Sequence, residues 1–219
     1  MARVSHPPTD PCEAKAATIA AYDASAAAYR DGTAALPPEV AAAIDAVAGQ
    51  LGAGARVLEI GSGPGRDARA LEERGVSVRR TDVSPGFVAL LAASGHAADL
   101  LDPLVDDLGD PERGGAPYDG VWANACLLHV ARPDLPLVLR RLAAATRSGG
   151  VLHLSLKEGD SEAWSAHGHV AAPRLFVFWR EGPLREALDG AGWSVQRLVR
   201  HDGVRGDRWL VVTATRKDA

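Results

Sequence analysis

Val57-Leu58-Glu59-Ile60-Gly61-Ser62-Gly63-Pro64-Gly65-Arg66-Asp67 runs from an apolar stretch through a carboxylate into three glycines at alternate positions. The apolar stretch reads as a buried parallel strand, and the glycines as the turn out of it. The segment from Asp67 to Arg74 reads as the helix that follows. Such a strand, glycine turn and helix bring bare backbone N–H groups and a helix N-terminus against a ligand. A side chain on those glycines would hold the ligand away, so the stretch points to a nucleotide-type cofactor.

Outward from this stretch the chain alternates strand and helix. Residues 1–11 carry Pro7-Pro8 and little to bury, and a disordered tail is expected there. Cys12 to Arg30 is Ala-rich and helical, closed by Asp31-Gly32. Pro37-Pro38-Glu39 opens a second helix to Leu51, and Gly52 to Gly54 ends it, so residues 12–52 form a helical cap. After the first strand, Arg56–Ile60, strands are expected at Val76–Thr81, His96–Leu100, Tyr118–Ala123 and Val151–Leu156. Helices are expected from Ser84-Pro85 to Ala93, over Pro133–Thr146 and over Gly182–Asp189. Asp102 to Pro117 is a loop, and Ser148-Gly149-Gly150 is a break. Residues 158–180 form an insert whose first part, to Arg174, has no clear period and reads as a loop. Trp193–Arg200 and Arg208–Thr215 are closing strands joined by too short a turn for a crossover helix, so one of them is antiparallel. The expectation is a single α/β domain over residues 12–219, with a doubly wound, mostly parallel seven-stranded sheet and an antiparallel C-terminal hairpin.

Composition narrows the function. The 219 residues suit one domain with a full core, and 47% are apolar. The net charge of -4 argues against a broad nucleic-acid footprint, which needs a basic face. Cys12 and Cys126 lack metal-ligand spacing and read as free thiols of a reducing compartment. No apolar run approaches the ~18 residues of a membrane span, and no signal peptide is evident. The cytoplasm is the expected location, with a small-molecule partner, no nucleic acid or membrane, and a monomer or homodimer.

The glycine spacing separates cofactors. A dinucleotide fingerprint is G-x-G-x-x-G, which cradles a pyrophosphate. Here the spacing is Gly61-x-Gly63-x-Gly65, with Glu59 in front. That carboxylate repels a pyrophosphate and attracts an ammonium group, directly or through water. With strand, carboxylate and glycines all in place, the chain resembles the class I S-adenosylmethionine-dependent methyltransferases. Their first motif is E/D-x-G-x-G-x-G after the first strand. The resemblance runs from about Tyr22 to Thr215 and is strongest from Arg56 to Val130.

The resemblance implies a bound S-adenosylmethionine, leaving as S-adenosylhomocysteine. Glu59, Gly61, Ser62, Gly63, Gly65 and Arg66 would meet it at the first turn. Asp82, with Val83 and Ser84, ends the second strand, where a carboxylate accepts both hydroxyls of a ribose. Taken alone, Asp82 fits a nicotinamide dinucleotide equally well. Asp99 and the Leu100 N–H would meet the adenine, with Asp102 a rival for the carboxylate role. Asn124 and Ala125, after the fourth strand, would lie beside the sulfonium and methionine portion. The tetrad Asn124-Ala125-Cys126-Leu127 departs from the Asn/Asp-Pro-Pro-aromatic pattern of nucleobase amino methylation, which disfavours that chemistry.

His129 is the candidate catalytic base, because histidine titrates near neutrality. In similar chains a Leu-His here also packs on the cofactor's methionine tail, so His129 stands as a cofactor contact too. Tyr22 and Tyr29 lie on the cap that covers the cofactor in similar enzymes, Tyr22 toward the cofactor and Tyr29 toward the acceptor. Only 5% of residues are aromatic, yet Trp164, Phe176, Phe178 and Trp179 gather in the insert. They form either an acceptor pocket or a lid on the core. His167-x-His169 lacks a carboxylate partner, so no metal is expected. The expected reaction is methyl transfer to an O, N or C nucleophile of a small molecule, with an aromatic or natural-product scaffold as one candidate. A nicotinamide-dependent oxidoreductase and a non-catalytic S-adenosylmethionine-binding accessory protein remain as alternatives.

Overall fold

The computed structural model describes residues 8–203 and 206–218. In chain order the elements are α1 (Pro11–Asp23), α2 (Ala26–Gly32), α3 (Pro38–Leu51), β1 (Arg56–Ile60), α4 (Arg66–Glu72), β2 (Ser77–Asp82), α5 (Pro85–Ala93), β3 (Asp99–Leu100) and β4 (Tyr118–Ala123). Then come α6 (Leu135–Ala144), β5 (Thr146–Lys157), β6 (Glu162–His167), β7 (Val170–Val177), α7 (Glu181–Gly190), β8 (Trp193–Asp202) and β9 (Arg208–Arg216).

Seven strands form one sheet in the order β3-β2-β1-β4-β5-β9-β8. Strands β1 to β5 are parallel, and β9 runs antiparallel to both β5 and β8. This is the expected sheet with its antiparallel C-terminal hairpin. The strand order reverses beside β1, between β2 and β4, which opens a crevice at the carboxyl ends of the strands. β1 is central and buried at all its residues. Val57 packs into a layer with Ile44, Val47, Leu71 and Trp122, while Leu58 packs on the other face with Leu139, Leu142 and Leu154. The alternation of side chains along a strand buries both faces at once.

Several boundaries differ from the expected ones. The first expected helix is two, because the chain turns at Ala24-Ser25. The Asp23 carboxylate is drawn to the start of α5, where it accepts hydrogen bonds from the Ser84 hydroxyl and from Gly86 N (2.9 Å). A tertiary contact there overrides helix propensity. Residues 1–7 of the expected tail lie outside the described residues. Asp10 caps α1 through Cys12 N and Glu13 N, and Pro11 is its first residue. β3 is shorter than expected. β5 begins at Thr146, and the register shift between Tyr118 and Gly120 absorbs the Gly149-Gly150 irregularity. The insert is a hairpin, β6 with β7, turned at Gly168 (φ 69°) and His169. A glycine first in a two-residue turn is the signal that reading by period passes over.

Candidate functional site

One cavity opens at the carboxyl ends of β1, β2 and β4, walled by the glycine turn, the cap and the segment after β3. The turn is built from hydrogen bonds inside the motif. Ser62 N donates to Thr81 O (2.9 Å), and the Ser62 hydroxyl donates to Glu59 (2.5 Å) while accepting from Thr81 N (3.1 Å). Gly61, Gly63 and Gly65 all take positive φ, at 69°, 53° and 77°. A Cβ on Gly61 would lie 2.4 Å from Cys126 Cβ, and one on Gly65 2.6 Å from Leu91 Cδ2. At Gly63 the nearest atom is Tyr29 Cε1, 4.0 Å away. Two glycines are therefore demanded by packing, and Gly63 keeps room in the cavity.

Asp82 follows from the end of β2. Its Oδ2 accepts from Gly63 N (2.8 Å) and its Oδ1 from Ser84 N (2.9 Å). Each oxygen keeps lone-pair capacity toward the cavity it lines. Burial raises this carboxyl to about 6, against the pull of those N–H donors. Glu59 is more deeply buried, and burial raises it to about 8 in spite of the Ser62 bond.

Glu59 therefore keeps its proton in the folded protein over a range where the unfolded chain has lost it. The stability it contributes is full at low pH and is lost as pH rises through about 8. Denaturant titrations of wild type and Glu59→Gln at pH 6.5 and 8 will show the difference. The wild type loses about 1–2 kcal/mol more over that interval than the variant. Equal losses would show that Glu59 is ionised at both values.

The β4 side is held by a second network. Asp67 Oδ2 accepts from Asn124 Nδ2 (2.9 Å) and from the Trp122 indole (3.0 Å), and its Oδ1 from Arg66 Nε (2.8 Å). The Ser155 hydroxyl donates to Asn124 Oδ1 (2.6 Å) and accepts from Ala125 N (2.8 Å). Among the described residues, Ala125 is the one non-glycine with positive φ, 55°. Holding it there requires the Ser155 bond and local strain of about 1–2 kcal/mol.

The cap supplies an aromatic wall. Tyr22, Tyr29 and Phe87 meet one another at ring separations of 5.6–6.0 Å. The His129 ring lies 5.3 Å from Tyr22. Nδ1 of His129 is 2.5 Å from Leu175 O, a carbonyl that only accepts, so Nδ1 carries the proton. Nε2 then accepts from the Tyr22 hydroxyl at 2.8 Å. Burial, reinforced by Arg174, lowers His129 to about 4.

Most of the expected site residues meet at this cavity. Tyr22, Tyr29, Glu59, Gly61, Ser62, Gly63, Arg66, Asp82, Val83, Ser84, Asn124, Ala125 and His129 all line it. Gly65 stands behind it as the N-cap of α4. Asp99 does not reach the wall: it pairs with Arg79 at 2.7 Å, and Leu100 is 58% exposed. Leu101 and Asp102 line the cavity instead, with Asp102 paired to Lys15 from α1. The four insert aromatics also lie outside the wall. Phe176 and Trp179 are buried in the core, and Trp164 and Phe178 pack on it, so they form the hairpin's own base. Asp23, Asp67, Ser155 and Arg174 were not legible as site residues, because each acts across more than thirty residues of sequence or through a residue of the wall.

Comparison with known proteins bears on this site. The family described as "Methyltransferase domain" matches residues 32–198. A ubiquinone biosynthesis O-methyltransferase of Xanthomonas axonopodis pv. citri (strain 306) is 33% identical over 107 residues, covering 47% of this chain and 43% of its own length. The chain thus spans less than half the length of the curated relatives it matches. Among solved structures, a 1,6-didemethyltoxoflavin-N1-methyltransferase of Burkholderia thailandensis carries bound 1,6-didemethyltoxoflavin and S-adenosylhomocysteine. It superposes with a TM-score of 0.71 and 26% identity, over 98% of this chain and 94% of its own. The [4+2]-cyclase SpnF has a TM-score of 0.68 at 15% identity over the whole of both chains, a likeness of fold alone.

Proposed function

The chain belongs to the class I S-adenosylmethionine-dependent methyltransferases, and we propose that it methylates an oxygen, nitrogen or carbon nucleophile of a small molecule. The observation that carries this reading is the join of two surfaces in one cavity. The Gly63–Asp82 cradle forms one side, and the Tyr22–Tyr29–His129 wall forms the other.

The cradle fits the cofactor. Asp82 has acceptor capacity left for ribose hydroxyls after binding two backbone N–H groups. Gly63 leaves open the space a Cβ would fill. Leu101 and Asp102 line the cavity and Asp99 does not, which supports them as the adenine contacts. Asn124 and Ala125, fixed by Asp67 and Ser155, face the region where the two surfaces meet.

S-adenosylmethionine supplies a methyl group already activated by its sulfonium. The protein's task is to align the acceptor and exclude water. The cap does both, since α1 and α2 close over the cavity and present flat apolar rings. Similar proteins bear names that specify O- and N1-methylation, so both atom types stay within the proposal. Incubation of the protein with labelled S-adenosylmethionine and a panel of phenols and nitrogen heterocycles tests it. The expected result is a labelled acceptor and equimolar S-adenosylhomocysteine. Tight cofactor binding without turnover on any of them is the result expected of an accessory binding protein.

In this reading His129 orients Tyr22 and does not serve as the free base. Both ring nitrogens are engaged, and its affinity for a proton is low. Removing a true general base costs about 10²–10⁴ in rate. His129→Asn is expected to lose less than tenfold in turnover, of the order that one lost hydrogen bond of ~1 kcal/mol gives, and to keep the acid limb of its pH–rate profile. A loss of a hundredfold or more together with a vanished acid limb would restore His129 as the base.

A further inference from the structure

We infer that the methyl acceptor binds as an anion, held against the Tyr22–His129 wall by the buried positive charge of Arg174. The inference rests on the methyltransferase reading above and names its substrate class: an acidic aromatic acceptor, a phenol or an acidic ring N–H.

Arg174 comes from β7 and is 3% exposed. Its Nη1 donates to the Tyr22 oxygen (3.0 Å) and its Nη2 to His167 O (2.8 Å). Nε is buried with no hydrogen-bond partner, and among the described residues no carboxylate forms an ion pair with this guanidinium. An uncompensated buried charge is strongly unfavourable, by several kcal/mol. Its persistence directly behind Tyr22, which lines the cavity, points to a counter-charge that arrives with a ligand.

The surroundings carry charges of both signs, and Arg174 is the cation bonded to the Tyr22 oxygen. The guanidinium lies over the rings of Tyr22 (5.0 Å) and Phe176 (5.2 Å). Lys157, from β5, stands 4.6 Å above the same Phe176 ring, and its counter-ion Asp207 is 2.8 Å away. His167, from β6, stacks on Phe176 at 4.8 Å, and His129 approaches it at 4.8 Å. Tyr29 faces Tyr22 from α2, and Asp82 is the acid whose field reaches Tyr22. Burial keeps Tyr22 protonated. The hydrogen bonds therefore run one way, from Arg174 to the Tyr22 oxygen and from the Tyr22 hydroxyl to His129 Nε2. On this wall neither the Tyr22 hydroxyl nor His129 is free to take a proton from the acceptor, whereas an anion is stabilised. In the transfer, the anion's lone pair forms the bond to the methyl carbon. The carbon–sulfur bond breaks with its pair left on sulfur, and the protein moves no proton.

Titration of 4-nitrophenol into protein saturated with S-adenosylhomocysteine tests this, because the probe's absorbance reports its own ionisation. For wild type the probe's pKa is expected to fall by about one unit on binding, a tenfold preference for the phenolate. Arg174→Lys should keep most of that fall. Arg174→Gln should return the probe to its free value while S-adenosylhomocysteine affinity stays within about twofold. If the Gln variant does not fold, Arg174→Met carries the same comparison. An unshifted or raised pKa in wild type, no binding of the probe, or an undiminished shift in the neutral variant would overturn the inference. Failure of wild type to bind S-adenosylhomocysteine would instead overturn the methyltransferase site itself.

Discussion

Gly63→Val will abolish S-adenosylmethionine binding and leave the protein folded. A side chain at φ 53° is strained by about 1–2 kcal/mol, an affordable loss for a domain of this size. Its Cβ meets nothing closer than the Tyr29 ring at 4.0 Å, so the interior need not repack. The two methyl groups, however, enter the space between the Asp82 carboxylate and the cap. The ligand must then leave, because the turn is pinned by Gly63 N to Asp82 and cannot retreat. Calorimetry should show a drop of about a hundredfold or more, the order expected when a steric clash of ~3 kcal/mol is imposed. A melting curve should show a modest shift. Gly61→Ala makes the contrast, since its Cβ would strike Cys126 at 2.4 Å and disturb the core rather than the ligand. Unchanged affinity in Gly63→Val would place the cofactor elsewhere.

Asp82→Ala is expected to weaken S-adenosylmethionine and S-adenosylhomocysteine alike, because both carry the ribose. Charge-assisted hydrogen bonds contribute about 1.5–3 kcal/mol each. Losing the carboxylate should lower affinity by roughly a hundredfold at pH 7. The pH dependence provides a separate signature. Burial raises Asp82 to about 6, so its accepting form is depleted below that pH. Affinity for S-adenosylhomocysteine should fall about tenfold from pH 7 to pH 5 in wild type. Glu59, raised to about 8, stays protonated across this interval and does not confound it. In Asp82→Ala the slope should vanish. A slope that survives the substitution would assign the titration to another group, and a loss confined to one of the two ligands would contradict the ribose role.

Much of this architecture was legible in the chain. The run Val57–Ile60 before Gly61 announced a buried central strand because it is apolar on both faces. Ser84-Pro85 announced the start of α5, with the Ser84 hydroxyl accepting from Phe87 N as a helix cap does. The two-strand C-terminal hairpin followed from a connection too short to cross over. What stayed hidden depends on contacts distant in sequence. The hairpin β6–β7 has few β-branched residues, and its strand character comes from pairing, not from propensity. Its aromatics looked like a pocket because composition shows that rings cluster but not which way they face. Asp99 reads as the adenine partner from its position, and its pairing with Arg79, twenty residues upstream, carries no signal in the sequence. Arg174 carried no motif, and its contact with Tyr22 spans 152 positions of sequence.

The most direct test of the whole account is a crystal structure of the protein with S-adenosylhomocysteine. The expected result is the ribose on Asp82 beside Gly63, the adenine against Leu101 and Asp102, and the sulfur facing the Tyr22–Tyr29–His129 wall. A ligand bound outside this cavity, or a ribose that does not touch Asp82, would contradict it.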